Sequence, residues 1–255
     1  MYKLRLAHST LNAALMNSSF IQGFEFDDFN IKAPWHANSV VLPALLAAAE
    51  HPFHTTTGRV KISGNEILLS TIAGFELGSR VGRALHGSEM LNQGWHSVSP
   101  IPRQFLLDHI ANWLPPSGAQ YLVPQPQQQL VQNPKLSPGQ TEDVLGTACT
   151  QACGLMSAQH KSMAKCMQHG FAARDGLYGA LMSQKGYTGI NQVFERLYGG
   201  YLATFGQGSS FGPQYKENEL VDGLGEGWRD IDGIRVKKYD SMEGTPAPID
   251  CIATL

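Results

Sequence analysis

Residues 25–50 read EFDDFNIKAPWHANSVVLPALLAAAE, a polar half followed by an apolar, alanine-rich half. The polar half holds three carboxylates and a histidine: Glu25, Asp27, Asp28 and His36. The apolar half predicts a buried helix. Because proline fits best in the first turn of a helix, we expect the regular helix to run from about Pro43 to His51. The polar half is either one wall of an active site or a solvated acidic loop.

Helical signals dominate the rest of the chain. Apolar or small residues recur at helical spacing and predict further helices over residues 10–20, 65–86, 141–158, 171–184 and 188–197. Glu142 and Asp143 suit the first turn of one of these helices, where acids are favourable. The stretch GIRVKKY at residues 233–239 is the one good strand candidate. We therefore expect a mainly α fold.

The composition is that of a globular protein, with 255 residues, 42% hydrophobic and 16% charged, and a formal net charge of −2. No run of lysine and arginine marks a nucleic-acid surface, and no window reaches the ~18 apolar residues of a membrane span. The four cysteines lack the paired spacing of a zinc site, so we expect no metal and a reducing compartment. The expected location is cytoplasmic. The alternative is mitochondrial, because the first 20 residues are weakly basic and lack acids.

Residues 97–138 break the helical pattern. Eight prolines and seven glutamines interrupt this stretch. Since a proline inside a helix costs ~3 kcal/mol, no long helix can cross its second half. We interpret residues 97–138 as an irregular insertion or a disordered segment.

Several ionisable residues lie beside the small-residue helices, and no phosphate loop, nucleophile elbow or zinc motif accompanies them. They are Glu25, Asp27, Asp28, His36, His96, Lys165 and His169. A lysine beside such a helix can hold a substrate carboxylate, and a histidine among carboxylates can move protons near neutral pH. The set would suit a small polycarboxylate that reacts through an enolate. The plainer alternatives are solvated acids, capping or loop histidines, and surface lysines.

Five blocks of sequence carry a family resemblance: NSSFIQGFEFDDFNIKAPWHANSVVLPALLAAAE, IAGFELGSRVGRALHGSEMLNQGWH, EDVLGTACTQACGLMSAQ, QHGFAARDGLYGALMSQKGYTG and ERLYGGYLATF. Together they resemble the MmgE/PrpD family, and within it the fungal cis-aconitate decarboxylases. The resemblance implies a helical domain, a smaller α/β lid domain, a homodimer, and no metal or organic cofactor. It implies a carboxy-lyase acting on cis-aconitate or an alkylcitrate-derived tricarboxylate in fungal secondary metabolism. The alternative is a hydro-lyase acting on 2-methylcitrate.

The resemblance also predicts the domain organisation. Residues 1–96 and 139–228 correspond to two parts of the helical domain, separated by the insertion at 97–138. Residues 229–255 match only the start of the lid, so we expect a domain shortened at both ends. Such a chain is expected to be either an enzyme of impaired activity or a non-catalytic partner that forms a heterodimer with a full-length paralogue.

Residue by residue, the resemblance places family positions on Glu25, His36, His96 and Lys165. From these positions and their neighbours in the sequence, we predict four catalytic residues: His36, Lys165, Glu25 and Asp28. We predict three substrate-binding residues, Asp27, His96 and His169. His36 and Lys165 would bind carboxylates and stabilise an enolate, while Glu25 or Asp28 would orient His36. Two positions depart from the family pattern, because Asn30 and Pro246 stand where it has histidines.

Overall fold

The computed structural model describes residues 9–51, 54–55, 58–59, 62–85, 137–152, 154–159, 162–206, 215–242 and 244–255. Its α-helices are α1 (Thr10–Gly23), α2 (Ala37–Glu50), α3 (Gly64–Ala84), α4 (Pro138–Cys149), α5 (Ala164–Ser183), α6 (Tyr201–Phe205) and α7 (Pro246–Ala253). Short 3₁₀ turns cover Met156–Gln159 and Glu217–Leu220. The strands are β1 (Phe29–Asn30), β2 (His54–Thr55), β3 (Gly58–Arg59) and β4 (Ile234–Arg235). The prediction of a mainly α fold is confirmed, and within these residues no helix is long and apolar enough to cross a membrane.

Helices α1, α2, α4 and α5 meet in a core of small side chains. Its buried members are Ala14, Val40, Ala44, Ala47, Val144, Ala172, Ala173, Leu177 and Ala180. Small residues let helices approach closely, and a Cβ atom on Gly170 of α5 would clash with the carbonyl oxygen of Leu15 in α1. Helix α5 begins seven residues before the predicted start at 171, so it includes Lys165. The close packing brings the first turn of α5 against the end of α1.

The predicted start of α2 near Pro43 is wrong, because the helix already begins at Ala37 and Pro43 lies inside it. The carboxylate of Asp28 accepts hydrogen bonds from the backbone N–H groups of Ala37 (3.1 Å) and Asn38 (2.8 Å). These bonds satisfy N–H groups that have no partner within the first turn of a helix. The cap therefore comes from an acid nine residues before the start of the helix, and it extends α2 back to Ala37.

Capping boxes start α3 and α4. In each, a serine hydroxyl accepts the N–H of the third helical residue, whose side chain accepts the serine N–H in return. The pairs are Ser63 with Glu66 and Ser137 with Gln140. The first box starts α3 at Gly64, so the observed helix, Gly64–Ala84, lies close to the predicted range 65–86. Helix α4 ends at Cys149, so the helix predicted over 141–158 was too long.

The helix predicted over 188–197 is wrong, because these residues form turns. Gly189 donates its backbone N–H to Asp143 Oδ1 (2.9 Å), and Gln192 donates its own to Glu142 Oε1 (2.8 Å). Gln192 also adopts a left-handed conformation, with φ 52°, which a regular helix excludes. The two acids of α4 therefore hold this turn rather than stabilise their own helix terminus.

Strand β4 confirms part of the strand predicted over 233–239. It pairs antiparallel with β1, with Phe29 opposite Arg235 and Asn30 opposite Ile234. The pairing is short but specific in register. It places the residues after position 235 against the loop that joins α1 to α2.

The close approach at Gly146 of α4 makes a prediction about stability. A Cβ atom there would clash with the backbone nitrogen and oxygen of Ile190. We expect Gly146→Ala to lower the free energy of unfolding by about 2 kcal/mol, measured by urea denaturation, because rigid backbone must move. Gly64→Ala is the matched control, since nothing lies within 4 Å of its Cβ position. Equal effects in the two variants would contradict the prediction.

Candidate active site

The loop between α1 and α2 fixes the orientation of His36. Its Nδ1 lies 2.9 Å from the carbonyl oxygen of Asp28 and 2.8 Å from Asp27 Oδ2. Because a carbonyl oxygen only accepts, Nδ1 carries the hydrogen and Nε2 remains for other chemistry. Asp28 thus orients the ring through its backbone and caps α2 through its carboxylate. Asp27 supplies the negative charge beside the ring.

Glu25 lies between two lysines. Lys165, in the first turn of α5, pairs through Nζ with Glu25 Oε1. Lys237 Nζ lies 3.4 Å from Glu25 Oε2, on the opposite oxygen. Glu25 also has φ 54°, a left-handed conformation that residues other than glycine seldom adopt. Backbone strain of this kind is found mostly where surrounding contacts fix a side chain at a functional position.

Lys237 forms the most deeply buried ion pair of the cluster. Its Nζ donates to Asp27 Oδ1 at 2.8 Å, and the two side chains are 3% and 0% exposed. Asp27 therefore contacts Lys237 through one oxygen and His36 through the other. Sequence reasoning missed Lys237 as a site residue. Its only signal was the alternation of the strand candidate, which places Lys237 and Lys238 on opposite faces.

His169 lies behind His36 on α5 and is fully buried. The two rings have centroids 4.9 Å apart, and His169 Nδ1 lies 2.6 Å from Ser39 Oγ. Ser39 in turn donates its hydroxyl to the carbonyl oxygen of His36 at 3.2 Å. One arrangement satisfies both contacts: His169 Nδ1 donates to Ser39, and Ser39 donates to the carbonyl. Ser39 is a second site residue that the sequence did not reveal.

The lysines and His36 keep two carboxylates ionised. Burial alone would raise the pKa of Glu25, but the hydrogen bond and charge of Lys165, with Lys237, lower it below its usual value. Burial would likewise raise the pKa of Asp27, but His36 and then Lys237 lower it. Both acids therefore stabilise the fold most fully above their usual pKa values, and this contribution is lost as the pH falls.

Asp28 behaves in the opposite way. Burial raises its pKa from 3.8 to about 6, against the backbone hydrogen bond from Asn38 and the charge of His36. The native state thus holds this proton more tightly than the unfolded chain does. By linkage, the free energy of unfolding falls as the pH rises from 3.8 to about 6.

Asp28→Asn should remove this pH-dependent loss of stability. By calorimetry, we expect the difference in melting temperature between wild type and variant to change as the pH rises from 3.8 to about 6. Above that pH the difference should be constant. Asp250→Asn is the control, because Asp250 is an exposed carboxylate whose pKa is lowered by Lys238 and Tyr239. A constant difference across the whole range would show that Asp28 does not titrate there.

Asp27, His36 and His169 also form a combination that occurs in metal sites. One ligand atom from each lies within 4.8 Å of the others. However, the ammonium of Lys237 already lies 2.8 Å from Asp27 Oδ1, and a second positive charge there would be repelled. We therefore interpret the three residues as part of an ionic acid–base cluster.

The structure brings together six predicted site residues: Glu25, Asp27, Asp28, His36, Lys165 and His169. His96 lies outside the described residues. The structure also describes Pro246 and Asn30, the two residues expected to depart from the family pattern. Pro246 is the first residue of α7, and Asn30 is fully buried in β1. The roles assigned to these residues stay predictions.

The described helices and loops thus bring two lysines onto one glutamate, beside a histidine whose orientation is fixed. The sequence profile of the MmgE/PrpD N-terminal domain matches residues 5–101 and 134–213. The chain therefore belongs to the MmgE/PrpD family. The profile leaves residues 102–133 unmatched, which fall inside the predicted insertion.

The chain is also similar to named, curated proteins. The chain is 43% identical over 243 residues to cis-aconitate decarboxylase of Aspergillus terreus. It is 42% identical over 243 residues to cis-aconitate decarboxylase-like protein oryM of Aspergillus oryzae. Each alignment covers 95% of this chain, but only 45% and 46% of the respective relative. The chain thus spans just under half the length of these relatives.

Proposed function

We propose that this chain is a decarboxylase-like lyase of the MmgE/PrpD family that acts on cis-aconitate or an alkylcitrate-derived tricarboxylate. The observation that carries the proposal is the convergence of Lys165 and Lys237 on the carboxylate of Glu25. Two lysines that hold one carboxylate beside a histidine form a site in which a substrate carboxylate can take the place of Glu25. The names of the curated relatives support this substrate class.

In the proposed reaction, the lysines act first and the histidine acts second. The C–C bond to one carboxylate breaks, CO₂ leaves, and the bonding electron pair spreads onto the remaining unsaturated acid as an enolate. Lys165 and Lys237 stabilise the negative charge, which is most effective in a site poor in water. The doubly protonated ring of His36 then donates the hydrogen on Nε2 to carbon, and solvent replaces that proton after the reaction. Asp27 balances the charge of the protonated ring, and Asp28 fixes its direction.

Two other functions remain as candidates. A hydro-lyase acting on 2-methylcitrate would use the same carboxylate-binding lysines. A non-catalytic partner of a full-length paralogue is the other candidate. Homodimerisation and a role in secondary metabolism belong to the same proposal.

The test is CO₂ release by the purified chain from cis-aconitate and from an alkyl-cis-aconitate. We expect release with at least one substrate and its loss in Lys165→Ala, because that variant removes a carboxylate-binding charge. Lys185→Ala is the matched control, since Lys185 is exposed just beyond the other end of the same helix.

Each alternative has its own outcome in this test. Dehydration of 2-methylcitrate without CO₂ release would favour the hydro-lyase. No turnover by the chain alone, together with a stable complex with a full-length homologue, would favour the non-catalytic partner. Equal loss of activity in both lysine variants would contradict the role of Lys165.

A further inference from the structure

Asn30 joins three segments that surround the candidate site. Its Nδ2 donates to the backbone oxygen of Asp230 (3.0 Å), to Asp230 Oδ1 (3.3 Å) and to Ser79 Oγ (3.2 Å). Its Oδ1 accepts the backbone N–H groups of Lys32 (3.0 Å) and Ala33 (3.1 Å). These partners distinguish the oxygen of the amide from its nitrogen. The oxygens of Asp230 accept hydrogen bonds, whereas the backbone N–H groups of Lys32 and Ala33 donate them. Asn30 thus ties α3 and the segment before β4 to the loop between α1 and α2.

The network around Asn30 is buried and continuous. Ser79 on α3 donates to Asp230 Oδ1 (2.7 Å) and accepts from Trp35 Nε1 (2.9 Å). The backbone N–H of Asp230 donates to Glu76 Oε2 at 3.1 Å. All these groups lie away from water, where an unsatisfied polar atom costs about 1–3 kcal/mol. The arrangement is therefore held tightly in one geometry.

The register of β1 against β4, next to this network, gives the position of Lys237. Phe29 pairs with Arg235, so continuing the antiparallel register by two residues places Lys237 opposite Asp27. The 2.8 Å contact between Lys237 Nζ and Asp27 Oδ1 matches that register. A slip by one residue would turn Lys237 to the opposite face of the pair. A two-residue ladder is too short to prevent such a slip alone.

We propose that Asn30, Ser79 and Asp230 are positioning residues that lock this register and so place Lys237 in the candidate site. In this arrangement the role of Asn30 is to hold the second lysine in place. That Lys237 binds a substrate carboxylate rests on the proposed function. The dependence of its position on Asn30 does not.

The test measures the protection of Lys237 from an acetylating ester, read by mass spectrometry. The adjacent Lys238 is the internal reference, because its side chain is 63% exposed whereas that of Lys237 is 3% exposed. Asn30→Asp keeps the acceptor for Lys32 and Ala33 but sets a carboxylate against Asp230. We expect the labelling ratio of Lys237 to Lys238 to rise about tenfold in this variant, since a buried network is left unsatisfied.

Two controls separate a local effect from general destabilisation. Lys32→Ala removes an exposed ion pair with Asp232 between the same two segments, and it should leave the ratio unchanged. The reactivity of the buried thiol of Cys149 reports on global opening and should stay low in Asn30→Asp. Ser79→Ala is the second variant, which decides the matter if Asn30→Asp does not fold. It should raise the same ratio.

An unchanged ratio in Asn30→Asp, or in Ser79→Ala where the first variant is unfolded, would overturn the proposal. An equal rise in Lys32→Ala, or a parallel rise in the reactivity of Cys149, would also overturn it. Labelling requires no catalysis, so its outcome is independent of CO₂ release. A positive labelling result with no turnover of any tricarboxylate would leave the positioning role in place and remove the proposed function.

Discussion

Lys237→Met is expected to lower the free energy of unfolding by about 4 kcal/mol in urea denaturation at neutral pH, because it leaves a buried carboxylate without its ammonium partner. The affected acid is Asp27, whose side chain is fully buried and only 2.8 Å from Lys237 Nζ. Methionine keeps most of the side-chain volume, so the loss of the charge dominates. His36 remains beside the other oxygen of Asp27 and limits the damage.

Two further variants test this explanation. Lys238→Met is the matched control, because the pair of Lys238 with Asp250 is exposed and should contribute little to stability. Asp27→Asn combined with Lys237→Met replaces both charges and should recover much of the stability lost in the single variant. Equal losses in Lys237→Met and Lys238→Met would show that the buried pair has no special role.

The effect of Lys237→Met on the free energy of unfolding should also depend on pH. Lys237 helps to lower the pKa of Asp27, whose usual value is 3.8. The stability from this lowering is present above the usual pKa and is lost as the pH falls below it. The gap in unfolding free energy between wild type and Lys237→Met should therefore narrow in acid. A gap that widened in acid would contradict the assignment.

What the sequence could predict was local. The apolar and small residues that recur along α3, α4 and α5 act within one or two turns, and these helices were predicted. The loop from Glu25 to His36 was identified because its acids and histidine are close in sequence. Lys165 and His169 are four residues apart, so α5 presents both on one face.

What the sequence could not predict depends on partners distant in the chain. Lys237 enters the site only through the register of β4 on β1, about two hundred residues away, which no local pattern specifies. The early start of α2 depends on the carboxylate of Asp28, outside the helix. The turn at 188–197 follows from the side chains of Glu142 and Asp143, which override a plausible helical pattern. In the last two cases a polar side chain outside the element outweighed local propensity.

His36→Asn is expected to lower kcat for the proposed decarboxylation by about 10²–10⁴, because it removes the group that donates a proton to carbon. Asparagine is a favourable residue before a helix, and its amide can still donate to the carbonyl oxygen of Asp28. The start of α2 should therefore persist. The melting temperature should fall, because Asp27 loses the neighbour that lowers its pKa most, but its pair with Lys237 remains and the variant should stay folded. The loss then reflects the missing Nε2 rather than a displaced loop.

His51→Asn is the matched control, since His51 directly follows the last residue of the same helix and its Nδ1 contacts Thr10 Oγ1 at 2.6 Å. It should leave kcat and KM close to those of the wild type. The split between kcat and KM gives an independent readout, because loss of a proton donor lowers kcat while the lysines still bind the substrate. A raised KM with an unchanged kcat would assign the proton transfer to another group and leave His36 as a carboxylate-binding residue. The fully buried His169, whose ring centroid lies 4.9 Å from that of His36, would then be the residue to test.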